Sequence, residues 1–262
     1  MSLIIRSPKF ILAILLFIIL LSSYIHTYSL QMSMHIISIL IAVVAIDLLF
    51  VHIRRIKFFF PSAALVTGLI IILLSAPDLP IYDAVTACLF AMVSKNFIRI
   101  KGHHLFNPAG FGLFFAGVLF HHTISWWGVS FQTLHILSIV NIIVFIILLS
   151  PLIISLIRLK RYRITIPFLI TNSIIISIFS LTHVQNIFSL IQTSLADPTT
   201  LFFSIVMLPE PMTTPNQSHK QLLFGFAAAV IAAMYSLPFL TGIPDVLIGS
   251  LLTANILFFL IR

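Results

Sequence analysis

All fourteen Lys and Arg residues of this 262-residue chain fall at the same alternate junctions between long apolar runs. The runs are residues 10–28, 33–51, 60–76, 80–98, 106–120, 134–157, 164–181, 199–208, 221–236 and 244–261. Arg6 and Lys9 precede the first run. Arg54, Arg55 and Lys57 follow the second, and Lys95, Arg99 and Lys101 close the fourth. Arg158, Lys160, Arg161 and Arg163 follow the sixth, Lys220 follows the eighth, and Arg262 ends the chain. The opposite junctions carry Asp78, Asp197 and Asp245 and no basic residue. A helix of about 20 apolar residues spans a bilayer, and basic loops stay on the cytoplasmic side. The pattern predicts an all-α polytopic membrane protein with about ten transmembrane helices and both termini cytoplasmic. Dropping or adding one span would break the alternation downstream.

Composition agrees. The chain is 60% apolar and 8% charged, with a mean hydropathy of +1.20. The net charge of +8 is topogenic, so it calls for no nucleic acid and makes anionic membrane lipids the natural secondary partner. The first run, Phe10 to Tyr28, has no small-residue cleavage site after it and reads as a membrane helix, not a signal peptide. The single cysteine, Cys88, excludes an intrachain disulfide and a multi-cysteine metal or iron–sulfur site. No linker or soluble domain is left over, so residues 1–262 form a single integral membrane domain. Ten spans divide into five plus five, at about 1–133 and 134–262. Phe60-Pro61-Ser62 opens the third span and Asp197-Pro198-Thr199 the eighth, on opposite faces, as two inverted five-helix repeats would require.

Polar residues inside apolar runs are paired or functional. Asp47, near the cytoplasmic end of the second span, either binds an ion or pairs with Arg54 or Arg55. Asp83 complements the helix dipole at the outer end of the fourth span. His103-His104 and His121-His122 flank the fifth span at opposite interfaces, which weighs against a shared haem. Trp126-Trp127 reads as an outer interfacial anchor.

Three stretches do more than fill a membrane. "PSAALVTGL" (61–69) is small enough for a neighbouring backbone to approach closely. In "KGHHLFNPAGFGL" (101–113), Asn107 is placed to cap a helix that Pro108 begins. Such a helix start presents free N–H groups, and the asparagine amide adds a donor and an acceptor. That suits the mixed edge of a planar heteroaromatic such as an isoalloxazine, although a capped helix with no ligand reads the same way. In "MLPEPMTTPNQSHKQLLFGF" (207–226), the only glutamate of the chain, Glu210, stands between Pro209 and Pro211, with Thr213 and Thr214 close behind. A carboxyl held in broken backbone can carry a proton, help hold Na⁺, or simply close a turn against Lys220.

These stretches, in this order and followed by "VLIGSLLTANILFFLIR", resemble the RnfD and NqrB family of membrane subunits. That family belongs to the Rnf electron-transport complex and the sodium-translocating NADH:quinone reductase. The likeness runs from about residue 60 onward, and "FNPAGFG" and "LPEPMTTP" are its most specific parts. It implies about ten helices in two inverted halves, a fold related to urea and ammonium channels, flavin cofactors, and electron transfer coupled to ion movement in a prokaryotic inner membrane. The family's asparagine before Pro-Ala contributes to a noncovalent riboflavin site and falls on Asn107. Its earlier asparagine falls on His104, and its acidic residue before proline falls on Glu210. Thr213 and Thr214 accompany Glu210 as candidate cofactor-binding residues, and Glu210 is the candidate catalytic residue.

Typical members attach FMN to the threonine of a Ser-Gly-Ala-Thr stretch after the "FNPA" helix. No such motif occurs between 113 and 200. The expectation is therefore noncovalent riboflavin or FMN, with no covalent FMN and no metal ligand set. No dinucleotide fingerprint appears either, so electrons must come from redox partner subunits or a ferredoxin- or NADH-oxidising reductase. Two function classes follow. One is a membrane subunit of a flavin-dependent, Na⁺- or H⁺-coupled electron-transfer complex. The other is a channel or transporter for a small solute, ion or flavin on the same scaffold without redox chemistry.

Overall fold

The computed structural model describes residues 8–26, 28–57, 60–100, 102–129, 150–181, 197–238, 240 and 242–260. Most of the sixth expected span and the boundary between the two expected repeats lie outside the described residues. The architecture is all-α. In chain order the helices are α1 (Pro8–His26), α2 (Leu30–Ile53), α3 (Ser62–Leu74), α4 (Ile81–Phe97), α5 (Pro108–Phe120), a helical stretch at 150–158, α6 (Tyr162–Leu181), α7 (Pro198–Phe202), α8 (Ser218–Tyr235) and α9 (Val246–Leu260). A two-stranded hairpin, β1 (Arg99–Ile100) with β2 (His103–His104), joins α4 to α5, and a π-helical turn, Phe203–Met207, continues α7.

Among the described residues, two helices, Leu30–Ile53 and Tyr162–Phe179, are long and apolar enough by length and composition to cross a membrane. Others, including α3, α5 and α9, are apolar but shorter. Outward faces carry apolar stripes at helical spacing. Ile166, Ile170, Ile174 and Ile178 of α6 are all exposed, as are Ile14, Phe17, Ile18 and Leu21 of α1. Stripes of this kind suit a hydrocarbon solvent, because water penalises contiguous apolar surface.

Packing follows one scheme in both parts of the chain. In the first, α2 packs on α4 and α4 on α5; in the second, α6 packs on α8 and α8 on α9. The two parts touch where α5 meets α9. Glycine sets two of these contacts. A Cβ on Gly112 would stand 2.2 Å from the Ala87 carbonyl oxygen, and one on Gly225 would stand 2.1 Å from that of Ile164. Both are sites where backbone meets backbone and no side chain fits.

Asp47 pairs across helices and not with the arginines that follow it in sequence. Lys95 Nζ of α4 donates to Asp47 Oδ2 at 2.8 Å, and Asn96 Nδ2 donates to Asp47 Oδ1 at 3.1 Å. Arg54 reaches Asn96 Oδ1 instead, at 3.3 Å. Trp126 and Trp127 likewise serve the bundle. Trp126 Nε1 donates to Asp245 Oδ2 and Trp127 Nε1 to the Ile72 carbonyl, each at 2.7 Å. The same loop sends the Ser125 and Gly128 N–H groups to the carbonyls of Leu74 and Leu73, which closes the C-terminal end of α3.

Candidate functional site

The start of α5 is built as its residues require. Asn107 is extended (φ −60°, ψ 120°), its Oδ1 accepts from Gly110 N at 3.0 Å, and Pro108 takes the first helical position, where a missing N–H costs nothing. Opposite it, α7 begins at the Asp197 cap, whose Oδ2 accepts from Thr200 N at 2.7 Å, and then widens into the π turn at Phe203–Met207. Two prolines in three residues stop the helix there, because proline supplies no N–H and crowds the preceding turn. Thr165 Oγ1 donates to the Ser204 carbonyl at 2.6 Å inside this turn.

The segment after the π turn folds around the Glu210 carbonyl. The backbone N–H groups of Thr213 and Thr214 each reach it at 3.2 Å, Thr214 Oγ1 donates to it at 2.7 Å, and Thr213 Oγ1 at 3.3 Å. Arg161, which precedes α6, holds the same segment from outside. Its Nη1 donates to Thr214 Oγ1 at 2.9 Å and to the Pro215 carbonyl at 2.8 Å, and its Nη2 donates to Asn216 Oδ1 at 2.9 Å. The Glu210 side chain is thereby fixed in direction.

It points into a cavity of about 530 Å³, within the range of ordinary ligand sites. Walls come from α1 (Leu12, Leu15), α3 (Val66, Ile70) and the 150–158 stretch (Leu152, Leu156). Asn107, His104 and Glu210, selected from sequence, all line this space. Thr213 and Thr214 do not line it. Thr214 is buried behind it as the link between Glu210 and Arg161, while Thr213 lines a separate small crevice beside His104. Lys9, Lys95 and Arg161 also line the cavity, though the sequence reading had assigned them to topology alone. Their placement at junctions on the same expected side of the chain was the one available signal.

Two polar atoms at the cavity lack a protein partner. Glu210 Oε2 and His104 Nδ1 are out of solvent contact with no hydrogen bond. Burial pushes the Glu210 carboxyl up to about 7, against the opposing pull of Lys9 and of the Asn107 amide. Burial, with the nearby charges of Arg99, Lys9 and Lys95, pushes the His104 imidazole down to about 4, so it is neutral at pH 7. The site thus offers a neutral imidazole, an amide and a carboxyl that gains or loses its proton near neutrality. The two histidine pairs are separated by the length of α5, about 20 Å for 13 residues, so they cannot share one metal.

A protein-family model described as the NQR2, RnfD, RnfE family matches residues 6–262. The chain belongs to this family. The match extends well before residue 60, where the family-like motifs begin, and so takes in α1 and α2 with Lys9 and Asp47. Family members are integral membrane proteins of Rnf- and Nqr-type complexes. Comparison with curated proteins found no match.

Proposed function

We propose that this chain is the membrane subunit of a flavin-dependent electron-transfer complex, with a noncovalent flavin in the cavity between α1, α3, α5, the 150–158 stretch and the Glu210 turn. The observation that carries the reading is the pair of unpartnered polar atoms, Glu210 Oε2 and His104 Nδ1, in a cavity that Asn107 also lines, with aliphatic side chains from α1, α3 and the 150–158 stretch. Buried polar atoms without partners are costly, and a ligand edge with mixed donors and acceptors would satisfy them. When bound, flavin supplies one- and two-electron transfer. The residues of the chain do the rest. Asn107 presents its amide to a ring edge while its Oδ1 keeps the helix cap. The apolar walls exclude water. Glu210 holds a proton at its carboxyl up to about pH 7 and releases it above, the property that proton- or cation-coupled turnover requires.

Ten spans with cytoplasmic termini complete the proposal. The one-sided placement of basic residues supports it, and so does the repeated packing scheme, α2–α4–α5 and α6–α8–α9, expected of two inverted repeats. Redox partner subunits would supply and remove the electrons.

The test is the visible spectrum of the detergent-purified protein, followed by acid precipitation. Flavin released into the supernatant supports a noncovalent site. A colourless protein that also fails to bind added flavin would overturn the reading in favour of a solute channel or transporter. Flavin that stays with the precipitated chain would refute noncovalent attachment.

A further inference from the structure

The end of α5 away from the cavity carries a second pair of buried groups, which the proposed function does not use. Asp83, in the first turn of α4, is 5% exposed. Its Oδ2 faces Nε2 of His122, on the loop after α5, at 3.8 Å, too long for a hydrogen bond. Asp83 Oδ1 and His122 Nε2 are both out of solvent contact with no hydrogen-bond partner. The other ring nitrogen fixes the chemistry. His122 Nδ1 lies 3.4 Å from the Thr123 carbonyl oxygen, which only accepts, so Nδ1 carries a hydrogen. In a neutral imidazole Nε2 is then a bare lone pair. A lone pair and a carboxylate face each other in a buried site, an arrangement that calls for a positive charge between them.

Nothing permanently charged supplies it. All fourteen Lys and Arg lie at the opposite junctions, and Lys95, about 18 Å further along α4, is bonded to Asp47. The other titratable groups at this end are few. Tyr82 of α4 stacks on Phe120 of α5, His121 is exposed beside His122, and Asp78 is exposed in the turn before α4. His35 of α2 lies within the field of Asp78, and Asp245 accepts from Trp126 and caps α9. None bears a fixed positive charge. No group of three or more His, Cys, Asp and Glu side chains able to hold a metal ion occurs among the described residues, so a metal would find only two protein ligands here. A proton needs no more than two.

We propose that Asp83 and His122 form a proton-binding site at this end of the bundle, with one proton held between His122 Nε2 and the Asp83 carboxylate. The proton comes from the water that the His122 ring, 20% exposed, reaches at its edge, and it adds to the Nε2 lone pair; no electron moves. His122 is then an imidazolium that donates from Nδ1 to Thr123 and from Nε2 to Asp83, a charge-assisted bond that ties the head of α4 to the loop after α5. When the proton leaves, two acceptors are set against each other and the tie is released. One helix, α5, runs from Asn107 at the cavity to His121 beside this site. The inference does not rest on the flavin reading and stands whatever the cavity holds.

The test uses the full-length protein in detergent with isotope-labelled histidine, the His122 signals being assigned by their loss in His122→Gln. Ring nitrogen and carbon shifts report which nitrogens carry hydrogen. At about pH 5.5, a unit below the ordinary histidine midpoint, His122 should be an imidazolium. A neutral His122 at that pH would overturn the proposal without any variant. Asp83→Asn keeps the shape and removes the charge. It should lower the proton affinity of His122 about tenfold and leave the exposed His121 unmoved. Equal affinity in parent and variant, or the same loss at His121, would refute Asp83 as the local counter-charge. Thermal melts give a second reading. The coupling between Asp83→Asn and His122→Gln should be favourable at about pH 5.5 and vanish at about pH 8.5. A coupling that does not change with pH would reduce the pair to a packing contact. Stoichiometric Zn²⁺ binding at about pH 8.5, lost in both variants, would reassign the pair to a metal ion and overturn the proton.

Discussion

Glu210→Gln is the perturbation that most directly tests the geometry of the site, because its effect on stability has a sign and a window. The carboxyl is raised from its ordinary 4.5 to about 7, chiefly by burial. Below pH 4.5 both folded and unfolded chains hold the proton, and the glutamate costs nothing in titration. Between 4.5 and about 7 the unfolded chain loses its proton while the folded chain keeps it, so stability falls as pH rises. Above about 7 both have lost it and the cost is complete. At about 1.4 kcal/mol for each tenfold change in proton affinity, the full cost is about 3 kcal/mol. Gln has nearly the same shape and no titration, so its stability relative to the parent should rise with pH over that window, while groups common to both proteins, His104 among them, cancel in the difference. In detergent, with any bound flavin removed, thermal melts of the two proteins should diverge between about pH 4.5 and pH 7. At about 2–4 °C per kcal/mol for chains of this size, the Gln variant gains roughly 6–12 °C on the parent across that range. A constant gap between the two melting curves would refute the buried carboxyl, and with it the claim that Glu210 is a proton-holding group and not a solvated turn residue.

Asn107→Leu should lower flavin affinity about ten- to a hundredfold, the worth of one buried polar contact, while the protein still inserts; unchanged occupancy in a folded variant would reduce Asn107 to a helix cap. Asp47→Asn leaves the Lys95 ammonium buried beside an uncharged partner and should destabilise the bundle by about 3–5 kcal/mol, read as a loss of folded protein on heating; a neutral outcome would show that the Asp47–Lys95 pair is not enclosed. Reporter fusions after Asp78 and after Arg163 should give opposite readouts, and the same readout from both would break the ten-span topology.

The parts of the site that were legible in sequence are those built by neighbours in the chain. Asn107-Pro108 announces a capped helix start because the capping bond spans only three residues. Pro209 and Pro211 announce broken backbone because proline acts on its own turn. What stayed hidden depends on residues far apart. Asp47 and Lys95 are 48 positions apart, so Arg54 and Arg55 were the nearer candidates, and only the packing of α2 on α4 chooses between them. Arg161 sat in a basic cluster that topology explained completely, and its bonds to Thr214 and Asn216 span more than fifty residues. Thr213 and Thr214 stand in the selected segment but do not line the cavity. Their hydroxyls turn back to the Glu210 carbonyl, as threonines in tight turns do, and the cavity is left to the carboxyl.

The loop after α5 bears on how such a bundle can move. It is anchored to three helices at once: to α1 through Ser23 Oγ on the Gly128 carbonyl at 2.6 Å, to α3 through the Leu73 and Leu74 carbonyls, and to the start of α9 through the Trp126–Asp245 bond and the Ile124 N–H on Pro244. One strap therefore clasps the front and rear parts of the chain at the same end. A machine that works by swinging one part against the other would have to unbuckle this strap in every cycle. Passing electrons needs no such parting, and the cavity stands at the other end of α5 from the strap, beside Lys9, Lys95 and Arg161.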